Sequence, residues 1–372
     1  MRIILAFIGI ALALITPGVV IADDAGGAQQ PVCDGASISD ALQRTLSWIE
    51  AHPRDWPDTG EKIGNYGLSL WSWVLFATMH PDEAVRARCA REASRALRAP
   101  LRGDARTVGQ RIAGAKWQDW IQLSYFATLL ANAHVLDDAA AVDDIVRVGL
   151  GGLDLPKLHA ETVSRSASTA FWTFNLLHHA AVGRELPVSK AGTKLAEAAA
   201  LHAEGKPPRP SIQYVSGIYH ELAALSNLGH APLVPAAADD DTHGARFTAR
   251  ELDVARAFLP ALVALAVQRD DADMAAEGLI AASLLGQRGE AFFVDGVHWL
   301  VERQNDDGTW KARRPGADAF RHGVIICSWA LFEAMKDVVP DADEVDDAMA
   351  APMTLEDGDN LWVVEEDEML IF

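Results

Sequence analysis

Two ten-residue blocks, GLSLWSWVLF at 67–76 and GVIICSWALF at 323–332, share Gly, Ser, Trp, Leu and Phe at the same five places. Each block is apolar nearly all round, and each follows a segment bearing an aromatic–aliphatic pair, Trp48-Ile49 in one case and Trp299-Leu300 in the other. Such a match marks equivalent helices near the two ends of a repeating architecture. The tryptophans Trp73 and Trp329 are 256 residues apart. Over five intervals this is a pitch of about 51 residues, the size of one helical hairpin with its connections.

The intervening sequence agrees. Helical apolar periodicity predicts helices at 39–52, 67–79, 82–98, 117–134, 138–149, 168–182, 188–203, 212–227, 250–268, 271–285, 290–304 and 320–337. Gly and Pro punctuate them at Pro53, Pro81, Gly103, Gly151-Gly152, Gly183, Pro207–Pro210 and Pro232–Pro235. No run of alternating β-branched residues suggests a strand. The expected fold is all-α, with twelve helices forming six hairpins in an (α/α)6 toroid. Inner helices of such a ring touch neighbours on every side and must be apolar all round. The segments 67–79, 117–134, 168–182, 212–227, 271–285 and 322–336 satisfy this, whereas DEAVRARCAREASRAL fits the outside.

The first 22 residues, MRIILAFIGIALALITPGVVIA, stand apart from the fold. One early positive charge, an apolar run broken by Pro17-Gly18 and a small-residue end read as a cleaved export signal. No lipobox precedes Cys33. The expected organisation is a leader at 1–22, a flexible segment at 23–37, the toroid at 38–338 and an acidic tail at 339–372. The implied location is periplasmic or extracellular, with no membrane association after cleavage. Cys33, Cys89 and Cys327 are an odd number in an oxidising compartment. One disulfide with one free thiol fits this count, and the sequence does not select the pair.

The net charge of −20 is unevenly placed. Residues 341–372 contain twelve acidic side chains and no Lys or Arg, so this tail holds most of the charge. The body offers no basic stripe, which excludes nucleic acid as a partner. The tail reads as a solvated extension. Its apolar end, LWVVEEDEMLIF, is an alternative docking segment for a protein partner or for the domain itself.

The stretch GVHWLVERQNDDGTW, from Gly296 to Trp310, resembles the QW motif of the terpenoid cyclase and prenyltransferase toroid superfamily. Gly296, Trp299, Leu300, Gln304, Gly308 and Trp310 occupy its places in register, while Asp295 stands where that family has a basic residue. The resemblance implies the toroid, with Gln304 and Trp310 bracing the last hairpin against the first. It also implies a pocket at the N-terminal ends of the inner helices, where helix dipoles favour anionic groups.

The chemistries of that superfamily are not carried over. ADDDT at 238–242 has Ala238 where the cyclase proton-donor motif has its first Asp. No Asp-x-Cys accompanies Cys327 and His322 as prenyltransferase zinc would require, and no Cys-x-Glu-Gln thioester element exists. No cofactor and no metal site is therefore expected, and no two cysteines lie at ligand spacing.

Tyr66, Trp117, Asp119, Trp120, Trp172, Tyr214, Arg321 and His322 fall near the starts of the inner helices and are the candidate ligand-binding residues. Tyr219 and His220 are the candidate acid–base pair of a lyase. His220 and Glu221 are adjacent on a helix and point about 100° apart, so they do not form one acid–base pair. The first functional reading is an exported toroid that binds an anionic glycan, peptide or small molecule in its pocket or rim, without evident catalysis. The alternative is a lyase or hydrolase of an anionic glycan, and an isoprenoid cyclase comes third. A Tyr, a His, an Arg and a carboxylate converging within about 3–5 Å at one pocket end would favour the enzyme, and a shallow or aromatic-filled pocket would favour binding.

Overall fold

The computed structural model describes residues 35–53, 64–99, 125, 154–179, 188–236, 246–311 and 317–336. Eleven helices and no strand lie among these residues. They are α1 (Gly35–Ala51), α2 (Gly64–Met79), α3 (Glu83–Arg98), α4 (Leu155–Arg165), α5 (Ala167–His179), α6 (Lys194–Ala203), α7 (Ile212–Leu225), α8 (Ala249–Gln268), α9 (Ala272–Leu284), α10 (Ala291–Glu302) and α11 (Ala317–Met335). The protein is all-α over these residues. The expected leader, tail, segment 117–134 and segment 138–149 lie outside the described residues, Tyr125 excepted.

Local sequence sets the helix starts. Asp82 caps α3 by accepting from the Ala84 and Val85 amides, and Asp154, Thr193 and Asp271 cap α4, α6 and α9 in the same way. At α8, Thr248 and Glu251 form a reciprocal capping box. One helix was not among the expected segments. Helix α4 is a polar eleven-residue element whose start is set by Asp154 and by Pro156 in the first turn.

Two parallel rows organise the helices. Helix α2 packs on α11, α11 on α9, α9 on α7 and α7 on α5. Behind them α1 packs on α10, α10 on α8 and α8 on α6. The first row contains the five described segments expected to be inner. Helix α9 shows why they are apolar throughout: from Ala272 to Ser283, Asp273 alone is not buried. Helix α3 is the opposite case, burying only Cys89, Ala90, Ala93 and Leu97 against α2. Cys89 and Cys327 are both buried free thiols, so neither supplies a disulfide. No helix among the described residues is long and apolar enough to cross a membrane.

The turn after α10 joins the two ends of the described fold. Gln304 Nε2 donates to the Ala41 carbonyl (3.0 Å) and Thr45 Oγ1 (2.9 Å) of α1, and to the Gly308 carbonyl (3.1 Å). Its Oε1 accepts from Arg44 Nε at 3.0 Å. The Trp310 ring is 1% exposed, and its Nε1 donates to the Leu300 carbonyl at the end of α10 (2.8 Å). Gly308 adopts φ +87°, and a Cβ there would overlap the Arg44 backbone. The polar turn is thus pressed directly onto the first helix.

Buried polar groups tie the helices of the first row to one another and to α6. Glu221 accepts from Ser168 Oγ (2.6 Å) on α5 and from the Lys194 and Leu195 amides (2.7 and 2.9 Å) at the start of α6. Glu333 accepts from Trp329 Nε1 (3.0 Å) and Ser283 Oγ (2.7 Å), linking α11 to α9. Both carboxylates meet the rule that buried charge must be hydrogen-bonded.

Candidate functional site

Three helices of the first row bring titratable side chains to one place, and a fourth adds an aromatic ring. Helix α9 supplies Asp273 in its first turn and Glu277 one turn later. The i, i+4 spacing puts both carboxylates on one face. Helix α11 supplies His322, whose Nδ1 lies 2.9 Å from Asp273 Oδ1. Ligand-capable atoms of Asp273, Glu277 and His322 all lie within 4.8 Å of one another. Helix α7 adds Tyr219 and His220, and α5 adds Trp172, whose ring meets His220 edge-on at 5.1 Å.

The surroundings set each group's state. His220 Nδ1 lies 2.7 Å from the Ser216 carbonyl, which can only accept, so the ring proton sits on Nδ1 and Nε2 keeps its lone pair. Burial pushes the His220 pKa down to about 4, which keeps the ring neutral. In His322 burial opposes charge, but the Asp273 carboxylate outweighs it and raises the pKa above the usual value. Burial, reinforced by the charges of Glu277 and Asp273, holds the Tyr219 phenol well above its usual pKa. The Tyr219 hydroxyl and His322 Nε2 are both buried and have no hydrogen-bond partner among the described residues.

The site has a depth gradient. Tyr219 and Glu277 are sealed from solvent, whereas Asp273, His322, His220 and Trp172 are partly exposed. Aromatic rings continue from it across the inner row, with Tyr219 against Trp329 (5.8 Å) and Trp329 against Trp71 (6.3 Å). Chemically, the cluster offers a neutral base in His220, a carboxylate-backed imidazole in His322 and an undissociated phenol in Tyr219.

Of the candidates named from sequence, Tyr219, His220, Trp172 and His322 come together here. Tyr214 does not join them: its hydroxyl donates to Glu197 Oε1 on α6 (2.8 Å), and its ring packs on Phe258. Arg321 is 3% exposed and turns toward the first hairpin. It donates to the His52 carbonyl (2.7 Å) and Ser69 Oγ (3.4 Å), and stacks over Trp48. Trp117, Asp119, Trp120 and the Tyr66 side chain lie outside the described residues. His220 and Glu221 diverge, the first facing the cluster and the second facing α5 and α6.

Sequence reasoning missed Asp273 and Glu277. A signal was present, because Glu277 stands in AAEGLIAASL, where an acid is otherwise out of place in a buried helix. The chain matches no protein-family model and no curated protein. The functional reading therefore rests on the geometry.

Proposed function

We propose that the protein is an exported (α/α)6 toroid that carries out acid–base chemistry on an anionic glycan at the partly exposed cluster contributed by α5, α7, α9 and α11. The single observation that carries this reading is the convergence of Tyr219, His220 and the His322–Asp273 pair on one partly exposed cluster. A Tyr, two His and a carboxylate drawn from three helices are more than a structural histidine needs. The ring closure and the superfamily resemblance belong to the same proposal. They are supported by the row α2–α11–α9–α7–α5 and by the Gln304–Trp310 turn seated on α1.

The favoured reaction is β-elimination at a uronic acid. His220 Nε2 takes the proton from the carbon beside the carboxylate. The electron pair forms the carbon–carbon double bond as the glycosidic C–O bond breaks. Tyr219 then delivers its proton to the departing oxygen. The half-buried Trp172 face provides an apolar platform for a sugar ring. A binding-only protein is the second reading, favoured by the complete burial of the Tyr219 hydroxyl.

The test is a screen of the mature protein against uronic-acid polysaccharides, following ultraviolet absorbance of unsaturated products. His220→Ala and Tyr219→Phe are each expected to lower turnover by about 10²–10⁴-fold. A null screen alongside tight, saturable glycan binding would replace this reading with the binding one.

A further inference from the structure

We infer that Asp273, Glu277 and His322 form a binding site for one divalent transition-metal ion of the manganese-to-zinc series. The inference deepens the acid–base reading by naming the cation its cluster would use, and it rests on the same cluster.

Two observations support it, and the proposed substrate is consistent with them. The donor set is two carboxylates and one imidazole, all on adjacent inner helices, with their ligand-capable atoms within 4.8 Å of one another. His322 Nδ1 and Asp273 Oδ1 are hydrogen-bonded at 2.9 Å, and an ion would take the place of the proton between them, since ligation requires the neutral imidazole. The mixed oxygen and nitrogen set suits manganese through zinc better than the all-oxygen shell of calcium.

The second observation is the Tyr219 hydroxyl. It is fully buried and without a hydrogen-bond partner among the described residues, yet close enough to feel both carboxylate charges. A buried hydroxyl normally finds a partner, and an ion held by these carboxylates, or a water on that ion, would provide one. The substrate of the proposed reaction gives a consistent argument. Asp273 and Glu277 alone would repel a uronate, whereas an ion with three protein ligands keeps open positions for a substrate carboxylate. Cys327 does not join the set, since its thiol points at the Ala272 carbonyl (3.6 Å).

The experiment uses the mature chain, stripped with EDTA and titrated calorimetrically with Mn²⁺, Zn²⁺ and Ca²⁺, with cobalt absorption spectra in parallel. The expected result is one Mn²⁺ or Zn²⁺ per chain, binding at least 100-fold tighter than Ca²⁺. The cobalt form should show d–d bands without thiolate charge transfer. Glu277→Gln and Asp273→Asn should each weaken binding about 10–100-fold, with Tyr214→Phe unchanged. Melting curves of the stripped variants report whether they fold, and ion-dependent stabilisation of the wild type is a readout that needs no variant.

Absence of stoichiometric binding by the wild-type chain would overturn the inference. So would undiminished affinity in a folded double variant, or a thiolate band. A chain that binds the ion but cleaves no glycan removes the lyase reading alone. An active chain that binds no ion and ignores EDTA removes the metal alone.

Discussion

Replacing Gln304 by Ala removes the hydrogen bonds that its side chain makes between the turn after α10 and helix α1. Its amide has two hydrogens shared among the Ala41 carbonyl, Thr45 Oγ1 and the Gly308 carbonyl, and its oxygen takes one bond from Arg44. Two effective neutral bonds contribute about 1 kcal/mol each. The Arg44 bond is exposed and adds no more than about 0.5 kcal/mol. Thr45 Oγ1 already lies within reach of both carbonyls, at 3.1 and 3.2 Å, and can satisfy one after the change. The expected loss is therefore about 2 kcal/mol. In a domain of this size that is a fall in Tm of roughly 4–6 °C. Urea denaturation and calorimetry measure it, and a cycle with Thr45→Val should show coupling of about 1 kcal/mol because both residues serve the same carbonyls. A change within about 0.5 kcal/mol of wild type would refute the claim that this turn is an energetic tie.

Three more outcomes follow from particular residues. Gly308→Ala combines a left-handed backbone with overlap on the Arg44 carbonyl. It should cost more than Gln304→Ala, about 3 kcal/mol or more, in the same denaturation assay. Tyr219→Phe should leave stability unchanged or raise it by up to about 1 kcal/mol, because the hydroxyl lacks a partner; a clear loss would reveal one. Glu221 is pushed by burial from 4.5 up to about 7, so the folded chain holds a proton that the unfolded chain releases between those values. Its stabilising contribution is fullest below the unfolded value and disappears as pH rises through the folded one, by about 3 kcal/mol in all. Melting temperatures across this window should decline in the wild type and flatten in Glu221→Gln; parallel curves would refute it.

The layer assignment was legible because it depends on composition around a helix. The segments that became α2, α5, α7, α9 and α11 are apolar nearly all round and have no broad polar face to offer solvent. Gln304 and Trp310 were legible through their local bonds, to the Gly308 and Leu300 carbonyls, where spacing and geometry coincide; the bonds of Gln304 to Ala41, Arg44 and Thr45 are set by tertiary packing. The site was only half legible. A helix buried on all sides has no pattern that fixes its azimuth, so nothing in the α9 sequence says that Asp273 and Glu277 face α11. His322 joins them only through tertiary packing, 49 residues from Asp273. Arg321 stands beside His322 in sequence but projects toward α1 and α2, where carbonyls and a Trp face draw the guanidinium. Tyr214 is placed in the same way by Glu197 on the preceding helix. Helix α4 escaped notice because it is only eleven residues long and its few apolar side chains, Leu155, Leu158, Ala160 and Val163, are interrupted by polar ones.

The seating of the 304–310 turn on α1 also has a kinetic side. Arg44 and Gln304 are 260 residues apart, so this contact closes one of the longest loops the domain contains. Contacts of such separation are slow to form, since most of the chain must be organised before its ends meet. Helix α1 gains these particular hydrogen bonds only once the turn after α10 has been made. A chain cut short near Gly308 would leave α1 without its seat, so damage at one end would be felt first at the other.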